Sequence, residues 1–68
     1  MNEFPKILKE LRLERGLTQV QLSAALGFKA LSVVANWEAG YRTPDIHNLK
    51  LLSKFFNVSI DYLVGNEG

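Results

Sequence analysis

Leu17-Thr18-Gln19-Val20-Gln21-Leu22-Ser23-Ala24-Ala25-Leu26-Gly27 is the stretch on which the fold turns. The Thr18 hydroxyl can accept the backbone N–H three residues on, and Gln21 at that position can reach back to the N–H of Thr18. This reciprocal arrangement is a capping box and marks a helix start. Leu17 before the cap and Leu22 at the fourth helical position are spaced to touch, which fixes the angle at which the chain enters the helix. Gly27 takes a positive φ without steric cost, so the helix predicted over 19–26 stops there.

Upstream, Phe4, Ile7, Leu8 and Leu11 recur at spacings of three and four, while Lys6, Lys9 and Glu10 fall elsewhere. The pattern predicts a helix over 4–15, closed by Gly16. Downstream, Leu31, Val34 and Trp37 are spaced by three over a helix predicted at 31–38, with Ala39-Gly40 ending it. Its start is poorly marked: Ala30 is the cap by spacing, a weak one costing ~1 kcal/mol against Ser or Asp, and Ser32 competes two residues later. Thr43 as cap and Pro44 as first helical residue predict a fourth helix over 44–56. Ile46, Leu49, Leu52 and Phe56 would line its apolar side, and Asn57 tolerates a left-handed exit. Ser59 caps a last short helix over 60–64, with Val58 and Leu63 spaced as a second staple and Gly65 after it. No alternating β pattern, repeat or linker interrupts the series. The fold class is all-α: a compact five-helix bundle, one unit over residues 1–68.

The chain has 68 residues, 47% of them apolar and 22% charged, which suits one small folded domain and excludes a second lobe. It has no cysteine, so disulfides, a thiolate nucleophile and a cysteine zinc site are excluded, leaving packing, capping or oligomerisation to stabilise it. Its longest apolar runs fall far short of the ~20 residues that cross a bilayer. The first residues hold Glu3 and Pro5 rather than a basic segment followed by an apolar one, so no signal peptide is expected and the location expected is cytoplasmic. The net charge is only +1, but residues 1–56 hold all eight cations and five of the seven anions, a balance of +3. The positive charge therefore belongs to the body of the domain.

Helices two and three are separated by about four residues containing Gly27, the spacing of a helix-turn-helix. Three blocks in order give that spacing its meaning. They are Leu17-Thr18-Gln19-x2-Leu22-x3-Leu26-Gly27, then Asn36-Trp37-Glu38-x-Gly40-Tyr41-Arg42-x-Pro44, then Val58-Ser59-Ile60-Asp61-Tyr62-Leu63. Together with Leu11 they closely resemble the Cro and lambda-repressor-like helix-turn-helix family, over about residues 5–64. The resemblance implies that helix two crosses the DNA backbone and helix three lies in the major groove. One departure stands out: nine residues separate Gly27 from Trp37, one more than in the commonest members. The extra residue is expected in the turn near Lys29, since inside helix three it would rotate Val34 away from Trp37.

Carried onto this chain, the family pattern puts Leu31, Ser32, Val33, Ala35 and Asn36 on or near the groove-facing side, with Val34 and Trp37 in the core. Asn36 is the leading reader, because its amide donates and accepts at once and so matches the major-groove edge of adenine, a contact worth ~1–3 kcal/mol of discrimination. Ser32 can bond several bases, and Val33 or Leu31 can touch a thymine methyl. With no Arg or Lys for guanine, specificity would lean on methyl contacts and DNA shape. Phosphate contacts are expected from Gln19 at the start of helix two, from Lys29 in the turn, and from Tyr41 and Arg42 after helix three. Gln19 as a mere cap and Lys29 as a solvated charge are the plainer alternatives. The family pattern pairs Arg12 with Glu38 as a structural salt bridge.

The function expected is that of a DNA-binding transcriptional regulator, a repressor by preference, reading a palindromic operator as a homodimer. Its dimer surface is expected around Phe55, Val58, Ile60 and Tyr62. The rival is a protein-interaction or antitoxin-like accessory module that uses the exposed Leu31 and Val33 on helix three. A small-molecule pocket is not expected, because Trp37, Phe28, Phe55, Phe56 and Tyr62 at helical spacing are the core of so small a chain. No cofactor is expected. His47 stands alone without the further ligands a metal needs. An enzyme is disfavoured: one His allows no Ser-His-Asp set, no glycine loop cradles phosphate, and Glu10 and Glu14 lie one turn apart on an exposed helix.

Overall fold

The computed structural model describes residues 3–66, and the expected domain limits at residues 1 and 68 lie outside them. Five helices follow in order: α1 Phe4–Glu14, α2 Gln19–Ala25, α3 Val33–Ala39, α4 Ile46–Phe56 and α5 Ile60–Leu63. No strand occurs among the described residues. Phe4, Leu8, Leu11, Leu22, Leu26, Val34, Trp37, Leu49, Leu52, Phe56 and Leu63 are buried in one apolar core to which all five helices contribute. Trp37 is one of these residues. The rings of Phe4 and Phe28 meet it edge-on, with centroids 6.4 and 5.6 Å away, a geometry that suits the aromatic quadrupole.

Local chemistry explains most boundaries. At α2 the Thr18 hydroxyl accepts from the Gln21 N–H at 3.0 Å, and Gln21 Oε1 accepts from the Thr18 N–H at 2.9 Å, so the capping box is complete. Leu17 is half-buried beside it and Leu22 fully buried. Gly27 follows α2 with φ +90°, a conformation that would strain any side chain. Ser59 caps α5 by accepting from the Tyr62 N–H, and Asn57 leaves α4 in the left-handed region with φ 55°. Arg15, just past α1, lies over the Phe55 and Phe56 rings at 5.7 and 5.4 Å and donates to the Phe55 carbonyl, tying the ends of α1 and α4 together.

Two helix starts differ from the sequence reading, and the ends of α1, α2, α3 and α5 differ by one residue. The fourth helix starts at Ile46, not Pro44, and its cap is Asp45, whose carboxylate accepts from the Asn48 N–H at 2.9 Å, rather than Thr43. Pro44 is buried instead, and Asp45 holds the better cap, a charged acceptor at the positive end of the helix. With the start moved, Ile46 becomes the first helical residue and is 60% exposed, leaving the apolar stripe to Leu49, Leu52 and Phe56. A helical Cα–Cβ bond tilts toward the N-terminus, so a side chain at the first position projects past the end of the core.

The third helix starts at Val33, not residue 31, so Leu31 and Ser32 belong to the turn before it. Seven residues, 26–32, separate α2 from α3, and the chain bends at Lys29 and Ala30. Val34 and Trp37 both have their places in the core. Ser32 occupies the cap position but makes no capping hydrogen bond. The acceptor comes from α2: the Ser23 hydroxyl takes the Val34 N–H at 3.2 Å.

Candidate nucleic-acid interface

The inner side of α3 is fixed by burial, since Val34 is fully enclosed and Trp37 is 4% exposed. Ala35 and Asn36 are half-exposed on the same short helix, and Leu31 and Ser32 are exposed at its approach. Val33 is also half-buried, and it packs against the core, which leaves less of it available than of Leu31. At its far end α3 closes on Gly40, which adopts φ +79° as a left-handed exit. The Asn36 carbonyl there accepts from the N–H groups of Tyr41 and Arg42, at 3.0 and 3.4 Å. Those contacts set two exposed side chains, Tyr41 at 81% and Arg42, directly beyond the helix. Lys29 is exposed in the turn at the other end. Ser32, Val33, Asn36, Arg42 and Asn48 line one open depression of about 340 Å³ between α3 and the start of α4. With seven residues, α3 spans about 10 Å, and the ~10–12 Å diameter of a helix with its side chains fits a major groove ~12 Å wide.

A buried polar cluster stands behind this surface. Arg12 on α1 donates from Nε to Glu38 Oε2 at 2.7 Å and from Nη2 to Glu38 Oε1 at 3.0 Å, a two-point contact with α3. Its Nη1 donates to the Leu17 carbonyl at 2.8 Å. Gln19 Nε2 adds a third donor to Glu38, reaching Oε1 at 3.0 Å. The Gln19 amide is therefore engaged with α3, in addition to any contact its half-exposed position allows. The Arg12 and Glu38 side chains are 9% and 6% exposed, so this is an interior pair and not a surface one. Hydrogen bonding to Glu38 holds the Arg12 guanidinium above the ordinary arginine range, with the carboxylate's charge adding and burial opposing. A raised cation pKa stabilises below the unfolded value and is lost only as pH climbs through the folded one, so Arg12 stays charged at every pH of interest.

Of the aromatics, Trp37 and Phe56 are buried, Phe28 and Phe55 half-buried, and Tyr62 is 42% exposed on α5. Val58 and Ile60 are half-buried beside it. His47 is exposed, and among the described residues no group of three or more His, Cys, Asp or Glu is placed to hold a metal ion. Among the described residues no helix is long and apolar enough to cross a membrane. Among the polar contacts that the sequence reading missed are those of Ser23 with Val34 and of the Gln19 amide with Glu38. Each joins residues from different helices, and the only signal in the chain is a serine on the inner face of an otherwise apolar helix.

Comparison with known proteins agrees with this geometry. A helix-turn-helix family model matches residues 8–63. The HTH-type transcriptional activator BcrR of Enterococcus faecalis is 40% identical over 65 residues, 96% of this chain and 31% of that protein. The HTH-type transcriptional regulator ImmR of Bacillus subtilis (strain 168) is 40% identical over 62 residues, 91% of this chain and 48% of that protein. The uncharacterized HTH-type transcriptional regulator YqaE of Bacillus subtilis (strain 168) is 36% identical over 64 residues, 94% of this chain and 54% of that protein. The chain thus spans about a third to a half of the length of these relatives. No solved structure matches it significantly. A five-helix bundle, a capped second helix, a third helix held on its inner side by Val34 and Trp37, and a matching family model over most of the chain together place it in the Cro and lambda-repressor-like helix-turn-helix family of DNA-binding transcriptional regulators.

Proposed function

We propose that this chain binds double-stranded DNA as a homodimer, laying α3 in the major groove of each half of a roughly palindromic operator. The observation that carries the reading is the two-sidedness of α3: Val34 and Trp37 are buried, Ala35 and Asn36 are half-exposed, and exposed Lys29, Tyr41 and Arg42 flank both ends. Asn36 reads an adenine edge, with Leu31, Ser32, Val33 and Ala35 contributing methyl and hydroxyl contacts. Lys29, Tyr41, Arg42 and Gln19 contact phosphates and set the register. In a two-fold dimer the two reading helices fall one helical turn apart on DNA, ~34–36 Å. Half-buried Phe55, Val58 and Ile60 with exposed Tyr62 supply the self-complementary patch. The effect proposed is repression, because occupying a promoter suffices to block it. One similar protein is named an activator, another simply a regulator.

The test is a salt titration on a duplex selected from random sequence. Phosphate contacts release counterions, so affinity falls steeply as salt rises. Arg42→Ala should weaken binding to all sequences and reduce the log–log slope by about 1, while Asn36→Ala should relax preference at a single base position. Binding that ignores salt and both substitutions would replace this reading with that of a protein-interaction module acting through exposed Leu31.

A further inference from the structure

Among the described residues Ser23 is the one buried uncharged polar residue of the core, with its side chain fully enclosed. Its hydroxyl donates to the Gln19 carbonyl at 2.9 Å and accepts the Val34 N–H at 3.2 Å. The backbone N–H groups of a helix's first turn have no partner inside the helix. Here the local candidate, Ser32, makes no capping bond, so the acceptor for Val34 comes from another helix.

The contact has a counterpart. Gln19, one turn before Ser23 on α2, holds Glu38, one turn after Val34 on α3. Two residues four apart on α2 thus meet two residues four apart on α3, in opposite order, at both ends of the reading helix. A single hydrogen bond leaves α3 free to swing or screw over the apolar surface beneath it, because apolar packing has little direction. Two bonds a turn apart remove both freedoms. The Glu38 end is further anchored by Arg12. The Val34 end follows a seven-residue turn, and Ser23 is its polar anchor.

We infer that Ser23 is a positioning residue for DNA recognition: its hydroxyl sets the rotation and depth at which the start of α3 meets the bases, and so sets specificity without touching DNA. This rests on the DNA-binding reading above. A small rotation of α3 misaligns Asn36 and Ala35 with base edges, where contact geometry is strict. It leaves Lys29 and Arg42 near the phosphates, where contacts to flexible side chains are forgiving. Loss of Ser23 should therefore separate specific from non-specific affinity.

The experiment takes the wild-type chain, Ser23→Ala and Ser23→Cys, with Ile7→Ala on α1 as a core-weakened control remote from the α2–α3 contact. Each is measured at a temperature where circular dichroism shows it folded. The affinities for the wild-type-selected duplex and for a scrambled one give a ratio, taken together with the salt slope. Ser23→Ala should lower the ratio about tenfold with the salt slope unchanged, and Ser23→Cys, whose sulfur is a weaker acceptor of similar size, should fall between. Ile7→Ala should lower the melting temperature and leave the ratio intact. A ratio unchanged in folded Ser23→Ala, or lowered equally in Ile7→Ala, overturns the inference, as does failure of both serine variants to fold, which would make Ser23 a folding residue only. If the wild-type chain selects no DNA sequence, the DNA-binding reading itself fails, an outcome distinct from these.

Discussion

Arg12→Ala should cost about 3–5 kcal/mol, the amount typical when one partner of an interior ion pair is removed and the other charge is left stranded. Glu38 would keep its carboxylate in a site 6% exposed with only the Gln19 amide as a partner, and the Leu17 carbonyl would lose its donor. A chain of this length is stable by about 3–10 kcal/mol, so much of the population would unfold. The pair itself need not be strongly stabilising, since bringing two charges out of water offsets most of their attraction. Arg12→Met combined with Glu38→Leu should accordingly lie nearer the wild type than Arg12→Ala does. Urea titrations of the wild type, the single variant and the double variant measure this directly. A loss below about 1 kcal/mol for Arg12→Ala, the magnitude of a surface pair, would show the cluster to be hydrated.

Trp37→Ala should be as damaging, about 3–5 kcal/mol, through lost apolar burial and the cavity that remains. Its ring is 4% exposed and meets Phe4 and Phe28 edge-on, so neighbours on α1 and in the turn lose contacts together. Trp37→Phe keeps an aromatic in the same place and should retain much of the difference, because it leaves a smaller void. Thermal unfolding followed by circular dichroism separates the two variants. If Trp37→Ala melted within a degree or two of the wild type, α3 would not depend on this anchor, and its outer residues would have no fixed base.

How far the chain can be read without coordinates depends on how local each signal is. The Thr18–Gln21 capping box, the left-handed exits at Gly27 and Asn57 and the Ser59 cap involve residues within a few positions of one another, and all lie where their chemistry puts them. The start of α4 is misplaced by the Thr43–Pro44 pattern, which satisfies the local rule for a cap and a first helical residue two positions before the helix begins at Ile46. Asp45 caps the helix and Pro44 is buried just before it, and burial is a property of the packed core. The start of α3 was harder still. Its acceptor, Ser23, lies eleven residues away on another helix, and no window along the chain holds both partners. The link of Gln19 to Glu38 was hidden for the same reason, across nineteen residues. The candidate surface followed from family resemblance rather than periodicity, since Leu31, Ser32 and Val33 do not by themselves distinguish a face turned to DNA from one turned to a protein.

A titration of isotope-labelled protein with the selected duplex, followed by backbone and side-chain NMR shifts, puts the reading of α3 to its most direct test. The shifts should concentrate on Lys29, Leu31, Ser32, Ala35 and Asn36, on the Asn36 side-chain amide, and on Gln19, Tyr41 and Arg42. Saturating shifts confined instead to α4 and α5, with Ala35 and Asn36 unmoved, would contradict it.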